Sequence, residues 1–239
     1  MIFMGPGACR EWTFIAFLME NLDLFPLYLS ARVAGVATIS AMTLGLPLAW
    51  VLARRNFWGR EMLAAVVMLP LVLPPTVLGY YLLLILGRQG PVGSFLKTFL
   101  GVNIIFTWQA AVIASFIVSL PLLVRAAQAA IEAVSTDLED AARTLGRSEI
   151  AIFFTVTLPL AWRGVLAGVI LTFARAMGEF GATLMVAGNI PGQTQTMPIA
   201  IYDAVQAGNM PLANTLVILI TVATIAAFWL LGRAGARVG

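Results

Sequence analysis

Apolar runs as long as a bilayer is thick constrain this chain more than any other feature. A helix needs about 20 largely apolar residues to cross hydrocarbon. Five stretches reach that length, at about 27–53, 61–86, 104–124, 163–187 and 212–232. In lipid the backbone must satisfy its own hydrogen bonds, so only helices and closed barrels span. The barrel pattern, alternating segments of about ten residues, is absent from the sequence. The expected fold is an all-α integral membrane protein of five to six transmembrane helices, with 1–239 as one transmembrane domain. Only 10% of the residues are charged, against about 25% in a soluble domain. Residues 12–19 are too short to cross and would form an interfacial helix or part of a sixth span. The preceding residues do not resemble a cleavable signal peptide, because no basic region precedes an apolar core.

Basic residues orient the spans, since they concentrate on the cytoplasmic side. Arg54, Arg55, Arg60, Arg125, Arg143, Arg147, Arg163, Arg233 and Arg237 fall on one side, and Arg10, Arg88 and Lys97 on the other. This places 136–159 and the carboxyl terminus in the cytoplasm, and 87–98 and 189–198 outside. The latter connection, NIPGQTQTMP, is rich in amides and hydroxyls and carries no charge. The segment after it, IAIYDAVQAGN, is expected to form a short helix, in which Asp203 is the lone acid and is assigned no site.

Absences narrow the function. The sequence has no histidine and a single cysteine, Cys9, which excludes His-ligated haem, a Ser-His-Asp triad and an internal disulfide. The basic residues are dispersed, so there is no nucleic-acid footprint. No GxxxxGK[ST] loop is present to cradle a nucleotide phosphate. If ATP drives this protein, another chain must hydrolyse it.

Between two apolar runs lies TDLEDAARTLGRSEIAIFFTVTLP, residues 136–159. Thr136 and Glu139 have the spacing of a capping box. Leu138, Ala141, Ala142 and Leu145 recur at helical spacing as one apolar stripe, and Gly146 follows where a left-handed turn ends a helix. A capped helix with an apolar stripe in an aqueous connection suits presentation to a partner, although an ordinary interfacial helix would have the same pattern.

This segment resembles the signature of membrane subunits of bacterial ABC importers: acid-Ala-Ala, three residues, Gly, then Leu-Pro. Here it reads Asp140, Ala141, Ala142, then Arg143 to Leu145, Gly146, and later Leu158 and Pro159. The family usually has Glu where Asp140 stands, and Glu139 beside it is placed to share the role. The resemblance implies a coupling helix seated on an ATP-hydrolysing subunit, with Glu139, Asp140, Ala141, Ala142, Arg143, Leu145, Gly146, Leu158 and Pro159 as the coupling residues. Residues 68–93, 106–127 and 173–202 resemble permease subunits of molybdate ABC transporters, with sulfate/thiosulfate and tungstate permeases as looser relatives. The resemblance, over roughly 27–230, implies a type I importer permease that is not itself an enzyme and holds no cofactor. ATP and Mg would be bound by the partner ATPase. It further implies a second copy of the chain, two ATPase subunits, an external molybdate-binding protein, and a place in the bacterial or archaeal inner membrane.

Arg175 and Glu179 lie four apart in the fourth apolar run. Charges within a membrane are costly and face the bundle interior or a cavity. The pair is read either as positive potential on an anion pathway or, with more weight, as a self-neutralised structural lock. Gly164 and Gly168 form a GxxxG pattern that packs helices closely, between copies or within one. Pro70, Pro74, Pro75 and Pro121 are expected to kink their helices. Tyr80, Tyr81, Trp108 and Trp162 read as an aromatic belt. Two rivals remain at this level: a secondary anion carrier, which would normally show buried carboxylates at mid-membrane, and a redox membrane anchor, which would need cofactor ligands.

Overall fold

A computed structural model describes residues 23–236, and the described residues form helices without strands. The stretch 12–19, with Cys9, Arg10 and Arg237, lies outside them. Helix α1 (Phe25–Arg54) starts with Pro26 in its first turn, where the missing N–H removes no intrahelical bond. Asp23 Oδ1 accepts the Phe25 N–H at 2.8 Å. The chain then returns through α2 (Arg60–Val72) and α3 (Pro75–Leu86), which are bent by 112° against each other. The run 61–86, expected as one kinked span, is therefore two helices. Proline drives the residue before it out of the α region, and both Leu73 and Pro74 have ψ near the extended value, at 140° and 135°.

A short helix α4 (Pro91–Leu100) leads to α5 (Trp108–Glu132), which begins with Thr107 capping the Ala110 N–H. Pro121 lies inside α5 without ending it. Beyond come α6 (Thr136–Thr144), α7 (Glu149–Ile152), a π-helical turn at Phe153–Thr157, and α8 (Leu158–Met177). From Glu149 to Met177 the chain is one apolar helical rod of 29 residues. The fourth span, expected at 163–187, accordingly begins earlier and stops at Met177. Arg163 lies within the rod and does not mark its start, and the backbone breaks at 178–180. Helices α9 (Gly181–Ala187), α10 (Met197–Gln206) and α11 (Met210–Ala236) complete the order. Among the described residues four helices are long and apolar enough to cross a membrane, or five with the bent pair taken as one span.

The centre of the bundle is α5, flanked by α1 and α8. Ala37, Ala111, Val118 and Val186 fill one half, and Ala41, Leu123, Ile131 and Val165 the half nearer the 136–159 segment. Gly164 and Gly168 answer the question left by their spacing. A Cβ on Gly164 would lie 2.5 Å from Ala130 Cβ, and one on Gly168 2.8 Å from Ala126 Cβ. The pattern joins α8 to α5 within one chain.

Candidate functional site

The 136–159 segment is built around the carboxylate of Glu139, whose spacing from Thr136 suggests a capping box. Ser135, not Thr136, is the N-cap of α6, with its hydroxyl 3.2 Å from the Asp137 N–H. Glu139 is therefore not the return arm of a capping box, and it is 2% exposed. Its Oε1 accepts from Arg54 Nε at 3.1 Å and from the Thr157 hydroxyl at 2.7 Å. Arg54 also donates from Nη2 to the Val134 carbonyl at 2.8 Å. One carboxylate thus joins the end of α1, the start of α6 and the π-turn that leads into α8. Neither Arg54, read only as an orienting charge, nor Thr157 was singled out from the sequence. The contacts span 85 and 18 residues, and no local pattern encodes them.

Asp140, one residue on, is exposed. Its carboxylate pairs with Arg143, which also donates to Glu149 through Nε at 2.6 Å and Nη2 at 3.1 Å. These two acids hold the Arg143 guanidinium above its usual pKa, and the Arg143 hydrogen bonds hold the Glu149 carboxyl below its usual range. A depressed carboxyl stabilises the fold above its ordinary pKa and loses that contribution only as pH falls through the lowered value. The α6–α7 elbow therefore keeps its clasp across neutral pH.

The stripe of α6 is turned outward. Leu138 is 51% exposed and Leu145 82%, with Ala141 also open and Ala142 half-buried. Gly146 has φ +76°, and its N–H bonds the Arg143 carbonyl at 2.9 Å while Arg147 N–H bonds that of Ala142 at 3.2 Å. This is a Schellman turn, for which the left-handed residue is ordinarily glycine. Leu158 and Pro159 lie at the start of α8, after the π-turn. Proline ordinarily breaks a helix interior, but Pro159 lies just after the π-turn inside the continuous Glu149–Met177 rod and does not end it. An apolar hollow lined by Pro47, Trp50, Ile150, Phe153 and Phe154 adjoins the segment.

Arg175 and Glu179 are brought together across the break after α8. Arg175 Nη1 lies 2.7 Å from Glu179 Oε2, with Glu179 at 1% exposure and Arg175 at 30%. Glu179 Oε1 accepts the Ala182 N–H at 2.9 Å, so the same carboxylate caps the short helix α9.

A bent and bundled set of spans with an outward-facing, internally anchored cytoplasmic helix defines a class: the membrane subunit of a type I ABC importer. Residues 45–238 match the family described as binding-protein-dependent transport system inner membrane component, and the chain belongs to it. It is 45% identical to the molybdenum transport system permease protein ModB of Haemophilus influenzae, over 77% of this chain and 81% of that one. Against ModB of Escherichia coli K12 it is 46% identical over 74% and 78%. The sulfate transport system permease CysW of Synechococcus elongatus is 38% identical over 78% of this chain and 65% of its own. The fold also matches a subunit of the inward-facing MetNI methionine ABC transporter, with TM-score 0.72, 19% identity and coverage of 92% and 98%.

Proposed function

We propose that this chain is the membrane-spanning subunit of an ATP-driven molybdate importer. Two copies form the pathway, each seats α6 on one ATPase subunit, and an external binding protein delivers the anion. The observation that carries the coupling role is a helix whose apolar stripe faces water while its one buried acid is bolted to two spans. A partner that pushes on Leu138, Ala141 and Leu145 moves Glu139, and with it the ends of α1 and α8. Asp140 and Arg143 supply the polar rim of that contact, and Gly146 sets the angle at which the chain leaves it. The relatives named for molybdenum transport support the choice of cargo, and the lower identity to CysW makes sulfate the second reading. In this scheme Arg175–Glu179 locks the α8–α9 break, because one buried carboxylate both neutralises the guanidinium and caps α9.

Proteoliposomes containing the chain, its ATPase and its binding protein test the reading. ATP-dependent molybdate uptake is expected, with tungstate competing more strongly than sulfate. Gly146→Val and Asp140→Lys should each abolish uptake and release the ATPase while the protein stays inserted. Normal uptake by both variants would refute the coupling role, and uptake by the chain alone would make it a secondary carrier.

A further inference from the structure

Arg32 belongs to neither side of the basic-residue count, because it lies inside the first span. It stands seven residues into α1, about 10 Å along the axis at 1.5 Å per residue. A cation at such a position ordinarily pairs with an acid or faces a water-filled cavity. Among the described residues it has no carboxylate at ion-pair distance. Its guanidinium instead lies 4.0 Å from the centre of the Trp108 ring. Trp108, read from sequence as part of an aromatic belt, thus forms one wall of a cavity of about 390 Å³. Stacking on a ring face leaves the in-plane N–H donors of an arginine available.

That cavity opens at the external ends of α1 and α5. Tyr28, Arg32, Gln109, Gly192 and Gln193 line it, and no acid does among the described residues. The neighbouring hollow, by contrast, is lined by Asp23 and Asp203. Its walls are fixed. The Met197 N–H bonds the Ser30 hydroxyl at 2.8 Å and pins the 189–196 connection to α1. Thr194, 1% exposed, accepts the Ile190 N–H at 3.2 Å. Phe106, also on the lining, has φ +64°, and its N–H bonds the Val186 carbonyl at 2.9 Å. A bulky residue in that region is strained, and such strain persists only where the surroundings over-determine it.

We propose that this cavity is an external station for a tetrahedral oxyanion, with Arg32 as its charged ligand and Gln109 and Gln193 as neutral donors. This rests on the importer reading and adds to it a binding site for the cargo before the membrane is crossed. One cation and two amides hold a dianion by charge-assisted hydrogen bonds, yet leave it under-neutralised. The site is suited to brief occupancy after release from a binding protein.

Trp108 supplies a readout independent of transport. Molybdate, tungstate or sulfate titrated onto the assembled transporter, without binding protein, should change tryptophan emission saturably. The change should vanish in Trp108→Phe and in Arg32→Gln, and return in part in Arg32→Lys. In proteoliposomes Arg32→Gln should lower uptake about tenfold at limiting loaded binding protein, the order of one charge-assisted hydrogen bond. An unaltered emission response in Arg32→Gln overturns the site. So does weaker docking of the empty binding protein to that variant with the response intact, which would make Arg32 a contact for a partner carboxylate. If wild-type transporter shows the emission change but no uptake, the importer reading fails and the site stands.

Discussion

Glu139 and Asp140 are adjacent acids of the same charge, and their surroundings assign them opposite work. Asp140 is solvated beside Arg143, where an exposed pair contributes little to stability. Glu139 is buried against Arg54 and Thr157, so removing it leaves a guanidinium at 11% exposure without its counter-charge. Losing one partner of a buried pair costs about 3–5 kcal/mol, whereas an exposed substitution changes stability by about 0.5 kcal/mol or less. Glu139→Ala is therefore expected to lower the thermal unfolding midpoint of the detergent-purified protein by several degrees, with Asp140→Ala near wild type. Equal midpoints for the two variants would show that the anchor does not carry that load.

Helices α5 and α8 meet where side chains are smallest. At Gly164 and Gly168 the facing groups are the Cβ atoms of Ala130 and Ala126, so the axes approach as closely as glycine allows. Close approach matters in lipid, where packing replaces the hydrophobic drive between helices. Gly168→Val puts two methyl groups and a Cβ into that contact, and overpacking costs about 1–3 kcal/mol. The variant should insert and still bind the ATPase through an unchanged α6, but unfold at lower temperature. A variant as stable as wild type, with a weakened dimer instead, would move the contact from within one copy to between copies. The bent pair α2–α3 is also settled at this scale: Gly79 and Gly181 let α3 and α9 touch, since a Cβ on Gly79 would sit 2.9 Å from Ala182 Cα.

Across the whole molecule, function needs two ends that differ. The exposed stripe of α6 and its Glu139 anchor lie at one, and the Arg32 cavity and the 189–196 connection at the other. The basic residues assign the first to the cytoplasm. Orientation is tested by cysteines placed at Ala141 and at Gly192 in a Cys9→Ser background, which leaves no other thiol. A membrane-impermeant maleimide added to intact spheroplasts should label the Gly192 site and spare the Ala141 site. Labelling of Ala141 alone would invert the topology.

What the sequence determined by itself follows from short-range physics. Apolar runs made the spans, because unbonded backbone is intolerable in lipid. The apolar stripe of α6 and the left-handed turn at Gly146 were legible because both are local properties. The coupling role was instead implied by the resemblance of the acid-Ala-Ala, Gly and Leu-Pro pattern to importer permeases. Tertiary structure decided everything that depended on distant partners. It turned Glu139 inward because Arg54 and Thr157 wait there, and it assigned the GxxxG pattern to α5 because Ala126 and Ala130 face it. It also broke the fourth span after Met177, with Glu179 paired to Arg175 and capping α9, and it set Arg32 over Trp108 beside an amide-lined cavity. Residues 76 positions apart in the chain, or 85 in the case of Arg54 and Glu139, meet only when the bundle forms, and no periodicity announces the meeting.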